Sequence, residues 1–403
     1  MDIIAKWTNS NLILRILCAL VIGIALALLF PNAHWIGLFG TVFVQSLKAI
    51  APVLVALLVT ASIAKAKEGQ GKRFRSVIVA YLATTLLAAC ISVVASYLFP
   101  VTLHLQDAAA SSAPSDLGSV FENLLTSVVG NPIMALAEAN YLGVLFWSVV
   151  LGLALKQLGT QKVIGAISDI ADACSKLVSW IIQFAPFGIM GLVFSSIADN
   201  GLSVFADYGK LLTLLIGCML FTALVMNPLI VAFIIKGNPY PLVFKCLKES
   251  GISAFFTRSS AANIPVNMEL CKKMGLDENF YSVSIPLGST INMNGAAVTI
   301  TVMTLAVCNT LGIDVGIGAA FILAVVATLA ACGSSGVAGG SLLLIPMSCA
   351  LVGVDVDIAM QAVGVGFIIG VIQDSVETAL NSSGDAIFTA AVLIGENKKK
   401  KIK

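Results

Sequence analysis

Apolar runs long enough to cross a bilayer recur from residue 11 to residue 394. A run of roughly 20 apolar residues is a membrane-spanning helix. The repetition of such runs predicts an all-α integral membrane protein. Composition agrees. The chain has 403 residues, of which 58% are hydrophobic and 11% charged. Its mean hydropathy is +0.99. Soluble domains carry about 25% charged residues. The 34 glycines suit closely packed membrane helices. No cleavable leader is evident in "MDIIAKWTNSNLILR".

Spans are expected at about 11–30, 36–64 (interrupted by Lys48 and Pro52), 76–99, 139–157, 177–197 with Pro186, and 207–235. A polar loop occupies 100–120. Lys and Arg set the orientation. The stretch "KAKEGQGKRFR" at 65–75 and the tail ending "KKKKIK" are expected to be cytoplasmic. No Lys or Arg lies between Arg75 and Lys156, so the 100–120 loop faces outward. Lys6 and Arg15 place the N-terminus inside. The basic tail is an orientation signal, and no nucleic-acid partner is expected.

The nine cysteines contain no CxxC pair and read as small buried hydrophobes. His34 and His104 stand far apart, which disfavours a metal centre built on imidazole. There is no nucleophile–base pair in the apolar core and no cofactor motif, so an enzyme is not expected.

The C-terminal half contains an echo. "TRSSAANIP" fills 257–265 and "GSSGVAGGSLLLIP" fills 333–346. Each is a Ser-Ser turn followed by Ile-Pro, with an apolar arm on either side. The arms run 242–256 and 263–274, then 317–332 and 342–352. Most are too short to span alone at roughly 1.5 Å per residue. They read as two re-entrant helical hairpins, each preceding a long segment, 279–307 and then 358–394. Short, Gly-interrupted segments in matching positions of two halves point to a transporter's binding site. An ordinary loop at the first Ser-Ser stretch is the plainer alternative. It leaves the shared flanks unexplained.

From Met274 to Asn397 there is no Lys or Arg, yet Asp374, Glu377 and Asp385 lie in the last apolar segment. Intramembrane acids are costly and usually functional. Asp374, Thr378, Asn381 and Asp385 fall within about 60° of one another on a helix, with Glu377 at the edge. Such a stripe suits a cation, either an inorganic ion or a substrate ammonium; helix–helix hydrogen bonding is the alternative. Arg258 and the backbone N–H groups of the hairpin tips offer the complementary donors. Donors for a carboxylate beside acceptors for an ammonium read as an amino-acid site. "TINMNGAAVTI" at 290–300 breaks a helix at its middle. Unwound backbone at membrane depth is tolerated where it lines a cavity or is buried in protein. Its freed carbonyls, Asp385 and the Asn292 and Asn381 amide oxygens form the expected cage for an alkali cation. A simple kink with self-satisfied amides is the alternative.

"TRSSAANIP", "IPLGSTINMNGAA", "GSSGVAGG" and "QDSVETALNSSGD", in this order, resemble the dicarboxylate/amino acid:cation symporters, the glutamate-transporter family. The nearest likeness is to the bacterial sodium/serine–threonine branch. The resemblance covers nearly the whole chain. It implies eight spanning helices, two re-entrant hairpins, inverted repeats, a homotrimer, and a transport domain moving against a scaffold as an elevator. It implies spanning helices 1 and 2 in 1–75 (scaffold) and 3–6 in 76–240, helices 3 and 6 moving with the transport domain and 4 and 5 with the scaffold. The transport core is then 241–394, with a basic cytoplasmic tail at 395–403. It implies substrate contacts from Arg258, Ser259, Ser260, Val337, Ala338, Gly339, Asp374, Glu377, Thr378 and Asn381. One sodium is implied at Gly288, Asn292, Asn381 and Asp385. A second is implied near Thr290, Met293, Ala331, Cys332 and Ser334. Tyr81, Thr84, Thr85 and Asn294 match a further, weaker ion site.

Two departures bear on the substrate. Acidic-substrate members carry Arg where this chain has Glu377, and "NMDGT" where it has "NMNGA". Glu377 repels an acidic side chain, and Ala296 lacks a hydroxyl aimed at it. A small hydroxy amino acid, serine or threonine, is the expected substrate. Glu377 then accepts its hydroxyl, or pairs with Arg258. Asn294 replaces an Asp, so fewer sodium ions are expected. The expected protein is a sodium-coupled symporter of the bacterial inner membrane, with both termini cytoplasmic and no cofactor. Sodium- or proton-coupled transport of acidic amino acids or dicarboxylates is the alternative within this class. A channel is the alternative outside it.

Overall fold

A computed structural model describes residues 12–65, 72–105, 130–334 and 339–402. All regular secondary structure among them is helical. α1 (Leu12–Leu29) and α2 (Gly37–Lys65) are joined by a 3-10 turn at His34–Ile36. α3 (Lys72–Leu98), α4 (Pro132–Ala137) and α5 (Tyr141–Leu158) follow. Asn140 starts α5 by accepting from Gly143 N at 3.2 Å, a side-chain N-cap. α6 (Gln161–Gln183) and α7 (Ala185–Asn200) meet at 55°. α8 (Val204–Phe221) runs through a π turn at Thr222–Met226 into α9 (Asn227–Ile235).

The α6–α7 pair corrects the expected single span at 177–197. Pro186 lacks an N–H and is tolerated in the first turn of α7, not in mid-helix. The break therefore falls just before it. α6 escaped the hydropathy reading because Lys162, Asp169, Asp172 and Lys176 dilute it. Its buried positions Ile164, Ser168, Ala171, Cys174, Val178 and Ile182 nonetheless recur with the helical period.

Both Ser-Ser segments form paired arms. The first comprises α10 (Tyr240–Cys246), a π turn at Leu247–Gly251, α11 (Ile252–Thr257) and α12 (Ile264–Lys273). The second comprises α15 (Ile317–Ala331), a 3-10 turn at Leu342–Leu344 and α16 (Ile345–Leu351). Between them the chain forms α13 (Glu278–Ile291) and α14 (Asn294–Leu311). α17 (Val356–Ile402) continues through the basic run, beyond the expected end at 394.

Among the described residues, six helices are long and apolar enough to cross a membrane, or up to seven if α6–α7 is one bent span. α1 is a shorter apolar helix. The packing falls into two groups. α1 rests on α7, and α2 rests on α5, α6 and α7. In the other group α17 is central, touching α14, α13, α11, α12, α9, α8, α3 and α16. Glycines bring α7 close to its neighbours. A Cβ at Gly191 would lie 2.5 Å from Gly40 N, and one at Gly23 would lie 2.7 Å from Met190 O. Small residues permit such backbone approach in lipid, where dispersion rather than hydrophobic burial holds helices together. The groups meet where α17 packs on α7 and α2, and Lys48 of α2 forms an ion pair with Asp357 of α17 across that seam.

Candidate functional site

The site forms where the break between α13 and α14 faces the middle of α17. Asn292 and Met293 leave helical geometry, with φ/ψ of −93°/72° and −112°/52°. Asn292 N still donates to Gly288 O at 2.8 Å, and the ladder resumes with Ala297 N on Met293 O at 3.0 Å. Gly295 N donates to Asn381 Oδ1 at 2.7 Å, so the first turn of α14 is capped by α17. Gly295 is required here. A Cβ would lie 2.8 Å from Glu377 O and 2.9 Å from Glu377 Cα, both backbone atoms that cannot swing aside.

A buried oxygen cluster lies at this junction. Asn292 Nδ2 donates to Asn381 O at 3.1 Å and to Asp385 Oδ1 at 2.9 Å. Those bonds fix the amide orientation and turn Asn292 Oδ1 away from them. Asn292 Oδ1 and Asp385 Oδ2 are fully buried and have no partner among the described residues. Buried acceptors are rarely left so. Two glycines clear the space. A Cβ at Gly288 would lie 2.8 Å from Asp385 Oδ1, and one at Gly384 would lie 2.6 Å from Asn292 Nδ2. Unpartnered oxygens, one of them from a carboxyl group, suit a hard cation. Asn381 contributes differently from expectation: its side-chain oxygen is taken by Gly295 N, and its main-chain oxygen by Asn292.

The residues expected around a second ion are partly gathered. Cys332 Sγ approaches Ile291 O at 3.7 Å, bringing the end of α15 to the end of α13. Met293 and Ala331 are buried there, and Ser334 is 5% exposed. Thr290 Oγ1 is turned onto Leu287 O of its own helix at 2.8 Å. In the remaining group, Thr84 and Thr85 meet Asn294 Oδ1 at 3.3 and 2.9 Å. Both hydroxyls also reach Tyr81 O. Tyr81 Oη contacts Thr389 Oγ1 at 2.9 Å and Asp385 O at 3.2 Å.

Asp374 is engaged from both paired-arm segments. Arg258, in the left-handed region at φ 52°, donates from Nε to Asp374 Oδ2 at 2.7 Å. Gly339 N donates to Asp374 Oδ1 at 3.3 Å. Asp374 is buried and Arg258 largely so, with side chains 4% and 11% exposed. This corrects one expectation: Arg258 pairs with Asp374 and not with Glu377. The guanidinium stands where a substrate ammonium was expected. Thr378 Oγ1 is held by Asp374 O of its own helix at 2.7 Å. Ser259 Oγ accepts from Ala262 N at 3.2 Å, and Ser260 is buried. Val337 and Ala338 lie outside the described residues.

Glu377 has partners that the sequence did not reveal. Its Oε2 accepts from Thr299 Oγ1 at 2.7 Å, Ser341 Oγ at 2.8 Å and Gln373 Nε2 at 2.6 Å. Gln373 at i−4 was a legible signal, since it shares a helix face with Glu377. Thr299 and Ser341 carried none, because tertiary packing brings them in. Also unforeseen was the anchoring of the first paired-arm segment. Asn263 Nδ2 reaches Ser382 Oγ at 2.8 Å, and Asn267 Nδ2 reaches Ser382 O at 2.9 Å. A separate groove of about 1170 Å³ between α3 and α8 is walled by apolar side chains, and none of these site residues lines it.

The sequence that builds this site has relatives among known proteins. The family model described as the sodium:dicarboxylate symporter family matches residues 12–393. A protein of Bifidobacterium adolescentis named serine/threonine transporter SstT is 56% identical over 385 residues, covering 95% of this chain and 90% of that protein. A protein of the same name from Streptococcus thermophilus is 55% identical over 390 residues, covering 96% of each chain. One from Streptococcus agalactiae is 54% identical over 386 residues, covering 95% of this chain and 96% of that protein.

Proposed function

The chain belongs to the sodium:dicarboxylate symporter family, and from that premise we propose that it is a sodium-coupled symporter importing serine and threonine. The observation that carries the substrate reading is Glu377. A buried carboxylate stands beside the Asp374 pocket and repels an acidic side chain, while a hydroxyl would donate to it. The names of the relatives agree with that choice.

The protein is a multi-pass membrane transporter. Its finer arrangement is part of the proposal: eight spans, counting α1 and taking α6–α7 as one, with two re-entrant hairpins. α1, α2, α5, α6 and α7 form the scaffold, and the helices around α17 form an elevator-type transport domain. The two-group packing supports this division. A homotrimer in a bacterial inner membrane, both termini cytoplasmic, completes the reading.

In this reading the sodium ion is co-substrate. Asp385 Oδ2, Asn292 Oδ1 and freed carbonyls of the α13 end hold it. The substrate ammonium replaces the Arg258 guanidinium at Asp374. The substrate carboxylate meets Ser260 and the backbone N–H groups of the two hairpin tips. One cation moving down 100 mV supplies roughly 2.3 kcal/mol, or about a fortyfold gradient of a zwitterion.

Asn294 supports a low ion count. Its oxygen already lies within hydrogen-bond reach of two hydroxyls, and the amide supplies no charge to offset cation desolvation. The test is current recorded together with labelled serine uptake in proteoliposomes. Charge moved per serine is expected to fall below that of acidic-substrate carriers, corrected for substrate charge, and to rise in Asn294→Asp. An equal ratio, or no rise in the variant, contradicts the proposal.

A further inference from the structure

We infer that Thr299, Ser341 and Gln373 are positioning residues that set the preference for hydroxyl-bearing substrates, by holding Glu377 with one oxygen filled and the other open. The inference rests on the serine/threonine reading above and goes on to name the groups that make Glu377 selective.

The three donors converge on a single oxygen, Oε2, from three different elements. Thr299 comes from α14, Ser341 from the start of the second arm of hairpin two, and Gln373 from α17. Thr299 is 0% exposed, and Ser341 and Gln373 are 1% exposed. Gln373 Nε2 also donates to Thr299 Oγ1 at 2.7 Å. Its two protons are thus divided between the hydroxyl and the carboxylate. Reversing that amide would set its oxygen 2.6 Å from a carboxylate oxygen, so the orientation is determined. Thr299 then relays: it accepts from Gln373 and donates to Glu377.

Such a set fixes the carboxylate. Charge-assisted bonds are the stronger class, and rotating the group would break all three together. Among the described residues, none donates to Oε1. Glu377 keeps 5% exposure, and Oε1 is the oxygen assigned to the ligand. Asp374 lies three residues back on the same helix, about 4.5 Å along its axis. A short amino acid spans that separation, with its ammonium on Asp374 and its hydroxyl on Glu377 Oε1. Serine and threonine satisfy both acids. Alanine leaves Oε1 without a partner in a closed site, and sites built around a hydrogen bond reject analogues that lack it.

Ser341 also couples the two acids: two residues apart on one segment, Gly339 N donates to Asp374 and Ser341 Oγ to Glu377.

The experiment is competition by unlabelled serine and alanine against labelled serine, using wild-type protein, Thr299→Val, Thr299→Ser and Gln373→Met in proteoliposomes. The serine-to-alanine affinity ratio should fall by roughly fivefold or more in Thr299→Val and Gln373→Met. It should return in Thr299→Ser, and the sodium activation midpoint should stay at its wild-type value in all three. For any variant without measurable uptake, the ratio is read from the stabilisation of purified protein by each amino acid on heating. A wild-type ratio in both Thr299→Val and Gln373→Met, by either readout, overturns the inference. So does a failure of Thr299→Ser to restore it. Wild-type protein without sodium-dependent serine uptake instead removes the functional reading beneath it, which keeps the two failures distinct.

Discussion

Asp385→Asn is expected to abolish sodium-driven serine uptake at ordinary sodium concentrations. The substitution keeps the shape of the side chain, and Asn292 Nδ2 retains an oxygen to bond at position 385. What it removes is the charge. Asp385 is wholly buried, and its Oδ2 has no partner among the described residues. Withdrawing one member of a buried charge pair costs about 3–5 kcal/mol. That corresponds to a rise of about two to three and a half orders of magnitude in the sodium needed for half activation. The asparagine amide also carries two protons, which repel a cation where Oδ2 had stood. Expression and the melting temperature without sodium should change little, since the change is nearly isosteric. The measurement is sodium titration of labelled serine uptake, with sodium-dependent stabilisation of purified protein as a second readout. Wild-type sodium affinity in the variant contradicts the placement of the ion.

The second large effect concerns substrate choice. Glu377→Arg combined with Ala296→Thr should lower serine uptake by about a hundredfold and let aspartate or glutamate compete. Ala296 is wholly buried beside the break. Arginine at 377 would find acceptors already in place: the Thr299 and Ser341 hydroxyls, and Gln373 Oε1, which is buried without a partner. Those bonds occupy part of the guanidinium fork and leave the rest for a side-chain carboxylate, which arginine binds in two-point fashion. The loss of serine follows from replacing an acceptor with a donor facing its hydroxyl. Two lost or reversed hydrogen bonds at roughly 1–1.5 kcal/mol each give the stated factor. The check is the ranking of unlabelled amino acids as competitors of labelled serine and labelled aspartate. An unchanged ranking contradicts the side-chain argument.

Much of this architecture was legible because the bilayer enforces it. Spans at 36–64 and 207–235 stand out since lipid admits few polar side chains, and the break at Asn292-Met293 stands out for the same reason. The acid stripe on α17 was readable because helical period alone aligns Asp374, Thr378, Asn381 and Asp385. α6 was missed because an amphipathic helix of ordinary hydropathy carries its signal in period, not in mean value. The partner of Arg258 was also beyond reach. Asp374 and Glu377 lie less than one turn apart, so the choice between them depends on where the bend of the first paired-arm segment sits against α17. That position is set by Asn263 and Asn267 on Ser382, contacts made across more than a hundred residues of chain. The donors to Glu377 were hidden likewise, since Thr299 and Ser341 come from other elements and resemble any membrane hydroxyl until packing aims them.

The account is tested most directly by uptake of labelled serine into proteoliposomes holding the purified protein. An inward sodium gradient is compared with equal sodium on both sides, and an inward proton gradient without sodium serves as the third arm. The account predicts accumulation above the external concentration under the sodium gradient alone, blocked by excess serine or threonine and not by aspartate, glutamate or dicarboxylates. Accumulation without sodium, or block by acidic competitors with serine ineffective, would contradict it.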